Sequence, residues 1–361
     1  MKKRIILSTI LIPVFMISCK NKIPESFGWY DYERIPVVSM EKEKDFIKDK
    51  ETIRIKTDFN VVMNSMIGRF FLKEDTLCFA DEGATSIIQY DLSGKYLRNA
   101  VNKGRSRSEI INLVSASIDD SDNTVIMDGN WGITVFDKNW KRAGERILNL
   151  NYSKRSAEEA YKHPNPLIFD IYEIAYDYSK VELYDGRYAI FPITTEHDLY
   201  NGYEGKNVSH FFRNSRIFGI CDLNGGTSDM FGNYSPWYYE NCLPMYADVH
   251  FDVSGSDMYY SFGADSLIYI MDIPTRKIKM AFGVPGKGMN QDYKSYDTFK
   301  EVEHYYLKDR NEYGHYGDVS YEKESNLVFR TYYQGNDSPM EYLQIYQNYM
   351  LIGELAWCCN K

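Results

Sequence analysis

The chain has 361 residues but only one long apolar run, Ile5–Ile17, and that excludes a bundle of membrane-spanning helices. It is also short of positive charge. Its 42 Lys and Arg face 51 Asp and Glu, a net charge of −9, whereas a nucleic-acid binder presents clustered basic side chains. No nucleic-acid partner is expected. Proline is scarce, at 11, while 32 Tyr and 19 Phe argue against disorder and for strands. No CxxC pair, HExxH or GxSxG occurs, which leaves zinc ribbons, zincins and the serine-hydrolase elbow without support. Phe282–Gly288 has the glycines and lysine of a phosphate cradle but no Ser or Thr after Lys287, so it reads as a turn. No cofactor is expected.

What is present begins with an address. Lys2, Lys3 and Arg4 precede the apolar run, the pattern of an export signal too short to stay in a bilayer. It ends Met16-Ile17-Ser18-Cys19, which resembles a bacterial lipobox. The expected layout is a signal peptide over 1–18, a lipid-carrying Cys19, a charged tether over 19–50, a globular domain over 51–356 and a tail over 357–361. Several acyl chains on Cys19 give stable membrane anchoring. Lys20 resembles the sorting pattern for the outer membrane, with the membrane face left open. Five cysteines follow Cys19, an odd number that cannot all pair within one chain. Cys78 and Cys221 sit in apolar runs and read as buried thiols, while Cys242, Cys358 and Cys359 carry no assignment.

The main structural signal is a recurring strand end. Ile88-Gln89-Tyr90-Asp91-Leu92-Ser93-Gly94-Lys95 returns 46 positions later as Thr134-Val135-Phe136-Asp137-Lys138-Asn139-Trp140-Lys141. Further copies end at Asp222 and Asp272, and a degenerate one at Gln347. An apolar run, then Asp, then turn formers, then a second run is the grammar of a β-hairpin. Arg69–Leu72 with Thr76–Phe79, and Ser115–Ile118 with Thr124–Met127, add a second hairpin to each unit. Four short antiparallel strands in about 40–50 residues is the size of a propeller blade. The fold expected is an all-β propeller of six blades, within a range of five to seven, with a β-sandwich as the alternative. The long gaps after Asp137 and Asp272 each hold either a hidden unit, with Ala175-Tyr176-Asp177-Tyr178 as a candidate in the first, or a loop insertion. Short helices are expected after Ser156, which opens a capping box with Glu159, and over Thr298–Leu307. Thr52–Lys56 is the candidate strand for closing the ring.

The lipobox, the hairpin Tyr90–Leu97 and the following segment Asn102–Glu109 together resemble the six-bladed, TolB-like β-propeller lipoproteins of gut-dwelling Gram-negative bacteria. The resemblance spans Thr52 to Leu355. Gly104 and Glu109 match that family's Gly-rich turn, whereas Ser106, Arg107 and Ser108 depart from it. It implies a propeller fold and no particular reaction.

Residues with chemistry fall in loops. Asp119-Asp120-Ser121-Asp122-Asn123 is a turn by composition, with calcium binding as the rival. Tyr234, Trp237, Tyr238, Tyr239 and Tyr246 surround two prolines, and Trp237 with Tyr238 is the pair expected to be exposed. His304 through Asp318 crowds two His with acids and tyrosines. The candidate ligand-binding set is therefore Trp237, Tyr238, Tyr239, His315 and Asp318. The reading that follows is a non-catalytic, lipid-anchored envelope module binding a protein or a glycan. One rival is a glycan lyase or hydrolase, marked by two carboxylates, or a His and a carboxylate, meeting within hydrogen-bond range in a deep central pocket. The other is a structural subunit of an outer-membrane assembly. The anchor makes a direct prediction: Cys19→Ala moves the protein from the membrane fraction to the soluble fraction, read by immunoblot after ultracentrifugation.

Overall fold

The computed structural model describes residues 35–38, 55, 65, 67–119, 121–148, 150, 154–175, 180–195, 197–203, 208–225, 228–239, 241 and 243–358. They form five sheets, each an antiparallel meander of consecutive chain. Blade 1 holds β1 (Gly68–Lys73), β2 (Thr76–Asp81), β3 (Ser86–Asp91) and β4 (Tyr96–Lys103), with the two-residue β5 (Glu109–Ile110) parallel to the end of β4. Blade 2 holds β6 (Ser115–Ile118), β7 (Thr124–Met127), β8 (Gly132–Phe136) and β9 (Arg142–Ile147). In blade 3 the inner strand is split into β10 (Glu173–Ile174) and β11 (Glu182–Tyr184). Both pieces pair with β12 (Tyr188–Thr194), and β13 (Phe218–Asp222) and β14 (Ser228–Phe231) follow. Blade 4 holds β15 (Val249–Ser254), β16 (Asp257–Phe262), β17 (Ile268–Asp272) and β18 (Lys277–Phe282), and blade 5 holds β19 (Tyr313–Glu322), β20 (Leu327–Gly335), β21 (Met340–Gln347) and β22 (Met350–Cys358).

The recurring Asp acts in the same way in the first two copies. Asp91 Oδ1 accepts from the backbone N–H of Ser93 and Lys95, and Asp137 Oδ1 accepts from those of Asn139 and Lys141, all within 3.0 Å. The side chain replaces a backbone acceptor and closes a tight turn. Gly94 takes φ +81° in the first of these turns, which a residue with a Cβ adopts only at a cost. Asp119 is used likewise, its two oxygens accepting from Ser121 N, Asn123 N and Asn123 Nδ2. The loop after β4 is closed by Glu109, whose carboxylate accepts from Ser106 N at 2.8 Å. It lies where a Cβ on Gly104 would stand, so these two positions go together.

Each blade hides both of its faces by leaning on its neighbours. Cys78, Ala80, Ile87 and Val101 of blade 1 pack with Ala116, Ile126 and Phe136 of blade 2. A large cluster runs on through blades 2, 3 and 4, and another joins Ile268 and Phe282 of blade 4 to Val319, Val328 and Tyr346 of blade 5. The seam between blades 5 and 1 differs. Phe79, Ile88 and Tyr90 form a small separate cluster on the far face of blade 1, against which Ile55 packs, and Phe70 beside it is 54% exposed.

The two ends of the ring are unlike. At one end every connection within a hairpin is two to five residues long. The other end carries the long connections, among them α1 (Ala157–Lys162), α2 (Val208–Asn214) and α3 (Phe299–Glu312). Ser156 caps α1 as expected, accepting from Glu159 N, and Thr298 caps α3 by accepting from Glu301 N.

Five blades among the described residues is the lower bound of the expected range and corrects the favoured six. The gaps after Asp137 and Asp272 hold long connections rather than hidden units, because one meander spans Glu173–Phe231 and another spans Tyr313–Cys358. The proposed copy at 175–178 lies outside the described residues except for Ala175. The closing strand at 52–56 does so except for Ile55, as do the whole of the signal, Cys19, Cys242 and Cys359. The last strand runs to Cys358, past the expected domain end at 356. Cys78 and Cys221 are buried free thiols. Among the described residues no helix is long and apolar enough to cross a membrane.

The joint between blades 4 and 5 yields a stability prediction. Arg330 is fully buried and donates to Gln344 Oε1, Ser266 O, Val284 O and Tyr346 Oη, with its guanidinium 3.9 Å above the Tyr316 ring. Arg330→Met strands these acceptors and lowers stability by about 3 kcal/mol. The urea midpoint falls while the slope of the transition is unchanged.

Candidate functional site

The first strands of the blades carry polar side chains that tie neighbouring blades together. Ser117 Oγ of β6 donates to Val181 O, and Val181 N donates back to Ser115 Oγ at 3.1 Å. Lys180 Nζ, just before β11, reaches Phe251 O at 3.1 Å, Asp252 Oδ1 at 2.8 Å and Glu182 Oε1 at 2.7 Å. Asp252 Oδ2 accepts from Tyr321 N at 2.7 Å, linking blade 4 to blade 5. His250 Nδ1 of β15 donates to Asp318 Oδ1 of β19 at 3.1 Å, and Arg69 Nη1 of β1 approaches the same oxygen at 3.6 Å. Arg69 and Asp318 thus join the last blade to the first.

The environment sets the charge states. Burial pushes the Glu182 carboxyl up to about 7, against the opposing pull of Lys180. Burial also works to raise Asp318, but the His250 hydrogen bond and the charges of Arg69 and Lys180 outweigh it, leaving Asp318 well below the usual carboxylate range. Burial, helped by Arg310, holds His315 down to about 3, so its imidazole is neutral.

At the long-loop end this axis opens into a cavity of about 320 Å³ between blades 4 and 5. His250 and His315 stand on its strand walls, Arg310 and Asn311 come from the end of α3, Ser338 from the turn after β20, and Asp248 from just before β15. Arg310 Nη1 lies 4.0 Å from Asp248 Oδ2, and the guanidinium covers the Tyr246 ring. The His315 ring stacks on Tyr333 with centroids 4.7 Å apart and planes 21° from parallel. Asp248 also lines a second cavity of about 220 Å³ beside blade 3, bounded by Glu173, Thr194, Thr195 and Tyr203 over a floor of Phe211 and Phe212. Asp248 lines both cavities, which lie side by side at this end of blades 3 to 5. Among the described residues no group of three His, Cys, Asp or Glu is placed to hold a metal ion.

The expected site residues divide. His315 lines the cavity and Asp318 lies at the axis, though they do not touch: a bulge in the pairing of β19 with β20 between Tyr316 and Val319 separates them, and Asp318 turns to His250. Trp237 is 43% exposed, as expected. Tyr238 is not; it is fully buried, its hydroxyl donating to Tyr246 O and accepting from Ala264 N, which corrects its place in an exposed pair. The two sit on one 3₁₀ turn, Pro236–Tyr238, and point opposite ways. Tyr239 is a packing residue, its hydroxyl donating to Tyr234 O and its ring covered by the Arg213 guanidinium at 4.2 Å. The glycine loop 283–288 is a joint between blades: Gly286 N donates to Tyr316 Oη, and a Cβ there would meet the Tyr332 ring at 2.4 Å. Sequence reasoning passed over His250, Asp252, Lys180, Glu182 and Arg69. Polar residues two apart in the first strand of successive units, as in Ser115/Ser117, Lys180/Glu182 and His250/Asp252, were the available signal.

No family model matches the chain, and no curated protein matches it. Its fold is similar to that of a solved DUF4221 family member from Bacteroides vulgatus, with a TM-score of 0.57, 11% identity and 86% of each chain covered. It is also similar to a protein from Bacteroides fragilis described as exported, with a TM-score of 0.51, 13% identity, and 89% of this chain and 80% of that one covered. At such identities the likeness speaks for the fold, and the narrower TolB-like, six-bladed resemblance goes beyond it.

The axial network predicts a pH effect. Between the ordinary carboxyl value of 4.5 and about 7 the folded protein keeps a proton on Glu182 that the unfolded chain has lost. That contribution therefore declines as pH rises through the window and is gone above it. His315 acts in the opposite sense, stabilising above its ordinary 6.5 and less as pH falls towards 3. Comparing Glu182→Gln with the parent at each pH isolates the carboxyl. The variant's Tm gains on the parent's from about pH 5 to pH 7.5 in differential scanning fluorimetry.

Proposed function

We propose that the protein is a lipid-anchored envelope propeller that holds a ligand in the groove on its long-loop face. The reading rests on the groove itself: two cavities that share Asp248, at the end of the ring where the chain spends its long connections. Surface loops on a rigid scaffold are where binding groups concentrate. The other end also carries a cavity, of about 430 Å³, but its walls are the short hairpin turns at Asp119, Asp185 and Ser256, which have little freedom to vary. The lipid anchor comes from the lipobox ending at Cys19, and the ligand is an envelope protein or glycan. The interaction needs no chemistry: the charged groups beside the groove face each other, Arg310 against Asp248 and His250 against Asp318.

A second reading has one specific observation behind it. The His250–Asp318 contact is the His–carboxylate pair expected of a glycan-active enzyme, in which Asp318 orients the imidazole for proton transfer. Against it, His250 is buried and the pair is shared with the tie to Arg69.

Soluble protein starting at Lys20 tests the binding face, with an array of envelope glycans and purified outer-membrane proteins as the immobilised panel. Asn311→Trp, placed at the rim of the larger cavity, abolishes the capture seen with the parent. Asn139→Trp, on the opposite end of the ring, leaves it unchanged. Equal capture by both variants overturns the assignment of the face.

A further inference from the structure

We infer that the groove takes an uncharged, hydroxyl-rich saccharide segment rather than an acidic polymer or a peptide. The inference rests on the proposed binding face and names its ligand class. The first ground is charge. Arg310 faces Asp248 across 4.0 Å, His250 is bonded to Asp318, Asp318 is approached by Arg69, and Lys180 is shared by Glu182 and Asp252. The charges named here each meet the opposite sign within the protein, and Glu173 adds a further carboxylate at the smaller cavity. A phosphate, sulfate or uronate entering here faces the carboxylates of Asp248 and Asp318 with no cation in surplus, on a chain whose net charge is −9. A cationic ligand displaces Arg310 from Asp248. Burial that keeps His315 neutral removes the remaining candidate for a positive wall.

The second ground is shape and surface. His315 on Tyr333 is a flat stack of two rings beside polar tips, and an aromatic surface of this kind offers rigid contact area to the C–H faces of a sugar ring. Asn311 and Ser338 at the larger cavity, and Thr194 and Thr195 at the smaller, supply neutral donors and acceptors for hydroxyl groups. At about 320 Å³ the larger cavity falls within the roughly 300–1,000 Å³ range of small-ligand sites. The continuation past Asp248 suits a chain longer than one unit. A peptide added as an extra strand would have to lie along β15 or β19, the edge strands of their sheets, across the His250–Asp318 contact that bridges them.

The test is calorimetry on soluble protein from Lys20 with two sets of probes. The neutral set is cello-, malto-, manno- and xylohexaose; the acidic set is hexagalacturonate and a heparin hexasaccharide. At least one neutral probe binds, at least tenfold more tightly than either acidic one, and its Kd changes less than twofold between 50 and 500 mM NaCl. Tyr333→Ala weakens that binding about tenfold and Asn311→Ala about fivefold, each with a parental Tm. The second variant lies at an exposed position and stands alone if the first fails to fold. Binding confined to acidic probes, with steep salt dependence, overturns the ligand class while leaving the binding face standing. Silence from both sets overturns the ligand class as well, and the glycan and protein panel with Asn311→Trp then decides separately whether the face binds anything.

Discussion

The ring depends on an unusual allocation of polarity: the strands deepest in the molecule carry its most strongly coupled polar side chains. Ser115 and Ser117 tie blade 2 to blade 3, Lys180 ties blade 3 to blade 4, Asp252 and His250 tie blade 4 to blade 5, and Asp318 with Arg69 ties blade 5 to blade 1. Lys73 completes the circuit, its ammonium donating to Thr124 Oγ1 of blade 2 under the Trp140 ring. Between the blades the contact is apolar and non-directional. The hydrophobic effect presses the sheets together without choosing a radius. The axial bonds have fixed lengths, and they specify how closely five inner strands approach. Removing one partner from such a network leaves the other buried and unmatched, which makes the centre sensitive to protonation.

The same allocation separates two tasks. The short-turn end is made of backbone amides closed over aspartates, a construction that repeats because every blade needs it. The long-connection end repeats nothing: α1, α2 and α3 differ in length and in what they cover. Aromatic rings there mostly serve packing. Tyr234 and Tyr238 form, with Phe212 and Phe262, one buried aromatic cluster, and Tyr246 packs on Tyr293 and His315. Trp237 and the exposed rings of α3, Phe299 and Tyr306, lie outside it.

How far the sequence could be read follows from these physical differences. The hairpins were legible because turn chemistry is local: Asp91, Asp137, Asp222 and Asp272 act on residues two to four positions away. Strand limits at Ser115–Ile118 and Thr124–Met127 agree with the structure for the same reason. The capping box at Ser156 was equally local. Blade number was not legible, since a long connection and a weak unit occupy the same length of chain. The axial partners were not legible either. His250 and Asp318 are 68 positions apart, and nothing near either residue announces the other. Tyr238 was misread because a composition rich in Tyr, Trp and Pro signals a loop without saying which ring turns inward.

One small pairing closes part of the rim. Val37 lies parallel to Ala281, with Val38 N donating to Ala281 O and Ala281 N donating to Pro36 O, so residues 36–38 are laid along the outermost strand of blade 4. An edge that would invite a foreign strand is thereby blunted. The protein uses a piece of its own chain as a bumper, which leaves that stretch of the circumference unavailable for stacking one ring against another.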